Sequence, residues 1–215
     1  MNTRNRKANS ALLFVFCLVV TPAFFVNLAV AAAQVEWEVK KAKKGVTVST
    51  RKTASGYKEV KATVTANATI QDFLALLDNT AIASQWVDHC EKIELLAMPS
   101  EYERVVKTSF SAPWPVKDRE MVTYSLTQVD EVNNIASIAI SDASHNHPQT
   151  SEKIRMQGVK GKWTLITLDA NSLSITYEGY GEPAGKMPKW LANRLVVTST
   201  YKTFKNLRTT LEQTE

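Results

Sequence analysis

The sequence predicts an α+β domain in which a curved antiparallel β-sheet wraps around a long C-terminal α-helix. Three observations carry this. Seven strand-like runs follow one another at hairpin spacing, over 92–98, 101–110, 119–128, 135–141, 154–157, 161–168 and 172–180. Such spacing gives a meander and excludes βαβ units, whose crossovers need a dozen residues or more. The hydrophobic period changes from two to about 3.6 over 68–77, and helical spacing returns over 186–212 with no Gly or Pro after Pro188.

Short strands at 37–39 and 46–50 flank a turn carrying Lys40, Lys41, Lys43, Lys44 and Gly45. Ser55-Gly56 is a turn signal, and 57–65 then alternates, with Val60, Ala62 and Val64 on one face and Glu59, Lys61 and Thr63 on the other. Thr69 caps a helix, with Asp72 as its capping-box partner and Ile70, Phe73, Leu74 and Leu77 at helical spacing. Asp78-Asn79 ends it, and 81–86 forms a second short helix or turn. The breaks within the meander carry turn chemistry: Pro99-Ser100, the Pro113-Trp114-Pro115 corner, 130–134, 142–150, Gly158 and Asp169-Ala170-Asn171. Two prolines keep the corner out of helix and feed it into a strand, with Val122, Tyr124 and Leu126 on one face and Met121, Thr123 and Ser125 on the other. Asp118, Arg119 and Glu120 stand at the mouth of that strand. On the last helix Trp190, Val197, Phe204 and Leu211 repeat every seven residues, and Leu191, Leu195, Tyr201, Leu207 and Arg208 widen the stripe. At 1.5 Å per residue this helix is roughly 35 Å long, enough to cross a sheet.

Residues 1–33 are of another kind. Arg4, Arg6 and Lys7 precede two apolar stretches split by Thr21-Pro22, and small-x-small patterns run to Ala33. This reads as a secretory signal peptide ending near Gln34, the alternative being an uncleaved membrane anchor. The expectation is therefore an exported, periplasmic protein whose residues 34–215 form one domain. Lys and Arg number 26 against 21 Asp and Glu, a net +5; three of those positive charges belong to the leader, so the rest carries +2. That small, dispersed charge argues against nucleic acid as a partner, and the Lys40–Lys44 cluster reads as a solvated edge. Beyond Cys17 in the leader only Cys90 remains, which excludes an internal disulfide and a cysteine-rich metal site.

The Pro113-Trp114-Pro115 corner with Asp118-Arg119, Trp86 after the first helices, and Gly185, Pro188 and Trp190-Leu191-Ala192-Asn193 opening the last helix resemble the START family of lipid-transfer domains. Their order and spacing extend the resemblance over about 34–210. The resemblance implies a helix-grip fold, the C-terminal helix closing an internal hydrophobic cavity. It implies binding, and transfer between membranes, of a lipid, sterol or isoprenoid by a monomer that touches the membrane transiently. Burying a sixteen-carbon chain at about 0.8 kcal/mol per CH₂ yields about 12 kcal/mol before entropic and desolvation costs.

Arg119 is carried over as a ligand-facing charge, the competing reading being an ion pair with Asp118 or Glu120 at the strand edge. Trp114 is either cavity rim or corner packing. Tyr124, Trp163 and Tyr177 are strand aromatics whose face the sequence leaves open between core and ligand wall. Trp190, Val197 and Tyr201 are expected to face the sheet, as core at some positions and ligand contacts at others.

No catalytic residue, metal or cofactor is assigned. His145 and His147 lie in a polar loop without a third ligand at convincing spacing. Residues 158–162, Gly-Val-Lys-Gly-Lys, read as a turn too short for a phosphate loop, and no Gly-x-Ser-x-Gly elbow occurs. His89 and Cys90 are adjacent, which disfavours a base–nucleophile pair. Two rivals remain: a cyclase- or hydrolase-like enzyme of the same superfold using Asp118, Arg119, Glu120 or Glu178, and an interaction module with a filled core.

Overall fold

A computed structural model describes residues 36–149 and 152–213. The leader read over 1–33 lies outside them. Ten strands form one sheet: β1 (Glu38–Lys43), β2 (Val46–Lys52), β3 (Lys58–Ala66), β4 (Cys90–Ser100), β5 (Glu103–Phe110), β6 (Arg119–Asp130), β7 (Ile135–Asp142), β8 (Ile154–Arg155), β9 (Gln157–Asp169) and β10 (Ser172–Glu182). Among the described residues three α-helices accompany them: α1 (Ile70–Asp78), α2 (Ala83–Trp86) and α3 (Lys189–Glu212). The order across the sheet is β1-β2-β3-β10-β9-β7-β6-β5-β4, and β8 pairs with β6 off this path. The curved sheet with its C-terminal helix is the architecture expected.

Local chemistry explains the boundaries. Thr69 caps α1: its hydroxyl accepts from Asp72 N at 3.2 Å, and the Asp72 carboxylate accepts from Thr69 N at 2.8 Å. These bonds satisfy two of the donors a helix start leaves free. The β1–β2 connection is tighter than the lysine pattern suggests. Lys43 pairs with Val46, so only Lys44 and Gly45 turn, both at positive φ, and the other lysines of the cluster belong to β1. That two-residue geometry matches the twist of the flanking strands.

Two expectations are corrected. Residues 158–162 are no turn; they lie inside β9, where Gly158 at φ +59° absorbs an irregularity opposite β10. The run at 154–157 is also no meander strand. Its first two residues form β8, which pairs in parallel with the start of β6.

The core forms where α3 lies on β2 and β3. Tyr201, Phe204, Leu207 and Leu211, at helical spacing, pack with Val46, Val48, Val60 and Val64, and Phe73 enters from α1. Trp163 joins them, its ring 5.7 Å from Phe204 and 5.2 Å from Phe73. Each large side chain buried this way stabilises by about 1.5–3 kcal/mol.

Candidate functional site

The part of the concave face not filled by this core lines a cavity of about 590 Å³. Its floor follows from strand register. Val60, Gly179, Gly161, Ile140 and Ser125 are cross-strand neighbours running from β3 through β10, β9 and β7 to β6. Gly161 and Gly179 stand opposite each other at its centre and leave the sheet without side chains there. The ring of Tyr177 lies over them: a Cβ at Gly161 would be 2.9 Å from the Tyr177 hydroxyl, and one at Gly179 closer still. The roof is a stripe of α3, Ala192, Val196, Ser199 and Thr203, adjacent to the stripe that packs in the core. Leu74, Leu77, Trp86 and Val87 form one wall; Val106, Thr108, Met121 and Thr123 form the other.

Polar contacts tie the enclosing elements together. At one end Arg104 forms a bidentate pair with Asp78, both bonds 3.2 Å, joining β5 to the last residue of α1. Along the roof Asp88 N donates to Thr203 Oγ1 at 3.0 Å, joining the α2–β4 corner to α3.

Arg119 lines the other end. Its side chain points to the concave side, is 5% exposed, and pairs with neither carboxylate beside it. The guanidinium donates to Pro183 O and Ala184 O at 3.2 Å each, and to Lys117 O. It thus joins the β5–β6 loop to the β10–α3 link. Burial pushes its pKa below the ordinary value, with Asp118 acting in the opposite direction, but a guanidinium keeps its proton in proteins. Three backbone carbonyls use three of its five N–H groups.

Neighbouring charges are spent elsewhere. Glu120, one residue on, faces the convex side and binds Arg155 of β8, with Arg155 Nε and Nη2 at 2.9 and 2.6 Å from Oε1. Asp118 accepts from Ala112 N at 2.9 Å and lies 3.6 Å from Lys153 Nζ.

Among the side chains singled out from sequence, the structure places Arg119, Trp163 and Tyr177 on the cavity wall. The other five are off it. Trp114 is 92% exposed, so it does not pack in the corner. Tyr124 is on the convex face of β6, its hydroxyl donating to Glu103. Trp190 is 67% exposed near the start of α3. Val197 and Tyr201 belong to the core stripe, and Lys41 Nζ sits 3.7 Å from the Tyr201 ring centre. The physical reason is shared: a large aromatic marks apolar area, and apolar area is found in the core, at the cavity and on exposed faces alike.

The positions missed are the small ones. Ala192 and Ser199 leave space by having little side chain, and Gly161 and Gly179 make room for the Tyr177 ring. The only sequence signal for the roof is the 4-3-4 spacing of Ala192, Val196, Ser199 and Thr203.

A sheet gripping a C-terminal helix above an apolar cavity is the helix-grip architecture. The START domain profile matches residues 26–215, and the chain belongs to this family. It is similar to a STAR-related lipid transfer protein from Xanthomonas axonopodis, with 29% identity and a TM-score of 0.75, covering 82% of this chain and 99% of that one. It is 25% identical to an uncharacterized Pseudomonas aeruginosa protein over 91% of this chain and 96% of that one. Human StAR-related lipid transfer protein 5 has the same fold at 16% identity and a TM-score of 0.74, covering 82% of this chain and 86% of that one.

Proposed function

We propose that the protein binds a hydrophobic small molecule of the lipid, sterol or isoprenoid kind in this cavity and carries it between membranes as an exported, periplasmic monomer. The observation that carries the reading is the 590 Å³ of space between α3 and the sheet, walled mostly by aliphatic and aromatic side chains. Arg119 is the polar end. Its two remaining N–H groups suit an acceptor on the ligand head, while the apolar remainder lies along Trp163 and Phe204. Loading proceeds at the Arg119 end, where the β5–β6 loop and the β10–α3 link part. Trp114 and Trp190 stand exposed in and beside these two segments, and amphipathic aromatics of this kind favour the bilayer interface.

Mass spectrometry of organic extracts of the purified protein tests the binding. A co-purifying lipid-class molecule is expected; repeated absence of one, together with failure to bind fluorescent lipids, would overturn it. A Trp114→Ala/Trp190→Ala double variant tests membrane contact. Its partitioning onto phosphatidylglycerol/phosphatidylethanolamine vesicles is expected to fall about tenfold, a loss of roughly 1.4 kcal/mol. Unchanged partitioning would move the contact elsewhere on the surface.

The enzyme reading has one observation in its favour: His89 and Asp88 lie on the cavity wall with Nε2 and Oδ2 3.4 Å apart. The adjacent thiol does not complete a nucleophilic site, because Cys90 is buried and desolvation raises its pKa. Hydrolysis of p-nitrophenyl palmitate that disappears in His89→Ala would favour catalysis.

A further inference from the structure

One polar group on the floor of the cavity has no role in the architecture. Tyr177 lies on β10 among apolar neighbours, with Val60, Ile138 and Ile140 on the same wall. Its ring is immobilised: Gly161 and Gly179 lie beneath it, and Trp163 is 4.6 Å away at 41°. Its hydroxyl makes no hydrogen bond among the described residues, in contrast to Tyr124 and Tyr180, which each bond a glutamate. The Trp163 indole N–H, on the same floor, makes none either. Desolvation alone pushes the Tyr177 pKa up to about 12, so the phenol stays neutral and keeps its proton at any working pH. A polar group enclosed among apolar side chains without a partner is unfavourable, and here only a ligand or water in the cavity can supply one.

We propose that Tyr177 is a specificity-determining residue whose hydroxyl donates to an uncharged carbonyl oxygen in the buried part of the ligand. The cavity then selects apolar molecules that carry a ketone or ester oxygen part-way along their length over plain hydrocarbons. Two neighbouring donors, the Tyr177 hydroxyl and the Trp163 N–H, favour an acceptor oxygen, since the Asp78 carboxylate is already taken by Arg104. An anionic oxygen is disfavoured there, because the one cation on this row, Arg104 beside Ser125, is already neutralised by Asp78, and Arg119 lies six residues before Ser125 at the start of β6. The rigid seat fixes where along the ligand that oxygen must lie. The inference rests on the cavity being the ligand site.

Displacement of diphenylhexatriene, a hydrocarbon fluorophore, from the full chain provides the test. The competitors are hexadecane and a series of hexadecanones with the carbonyl at successive positions. A narrow range of carbonyl positions is expected to give the tightest ketones. In Tyr177→Phe those ketones should weaken about tenfold relative to hexadecane, while hexadecane and diphenylhexatriene keep their affinities and so report an intact cavity. A Gly179→Ala variant, which pushes the ring off its seat, should flatten the positional preference in the same way. Equal ketone and hexadecane effects in wild type and Tyr177→Phe would overturn the proposal with the cavity reading intact. Failure of diphenylhexatriene and hexadecane to bind wild type at all would overturn the cavity reading and this proposal with it.

Discussion

Replacing Glu120 with alanine is expected to destabilise the protein by about 3–5 kcal/mol, the cost typical of stranding one partner of a buried ion pair. Glu120 is 1% exposed and Arg155 7%, and both Arg155 contacts run to one carboxylate oxygen. The rest of the guanidinium donates to His147 O and Pro148 O at 3.1 Å each. Arg155 therefore holds the β7–β8 connection against the convex side of β6, as Arg119 holds two loops on the concave side. Without the carboxylate a cation stays buried against carbonyl dipoles alone. Urea midpoints of wild type, Glu120→Ala, Arg155→Met and the Glu120→Leu/Arg155→Met pair separate the pair's net worth from the stranding cost. The double variant should recover much of the loss, since apolar residues of similar volume replace a buried pair at little cost or with gain. A loss for Glu120→Ala of only about 0–1 kcal/mol, as at a solvated surface pair, would contradict this burial.

This pair also marks how far the sequence can be read. The capping box at Thr69 and Asp72, the hairpin spacing and the uninterrupted final helix are local signals, and each became the element expected. The Asp118-Arg119-Glu120 cluster invites a local pairing, yet strand alternation sends Arg119 and Glu120 to opposite faces of β6. Apart from the Lys117 carbonyl, the partners named above come from residues 35 and more than 60 positions away. Nothing near them in sequence announces Arg155 or the carbonyls of Pro183 and Ala184. Three of the aromatic candidates stand off the cavity wall for a different reason. Trp114, Trp190 and Tyr201 are conspicuous because they are large, while a cavity is made where residues are small.

That contrast leads to the largest functional effect. The two stripes of α3 differ by a rotation about the helix axis, and they should respond oppositely to the same substitution. Ala192→Trp/Ser199→Trp places two indoles on the roof stripe, beneath which the side chains meet open space. Diphenylhexatriene and hexadecane binding should be abolished, and the urea midpoint should hold or rise. Atoms lining a void lack partners on one side, and an indole entering it supplies them. Leu207→Trp puts the same group on the core stripe, at a fully buried position packed against β2 and β3. Overpacking of that kind costs about 1–3 kcal/mol and should leave ligand binding in place. Fluorescence titration and urea denaturation of the two variants side by side give both readings. If the roof variant binds diphenylhexatriene like wild type, the ligand lies outside the space beneath α3. If it loses the 1–3 kcal/mol expected of the core variant, then the side chains under Ala192 and Ser199 are already in contact and the helix seals a solid interior.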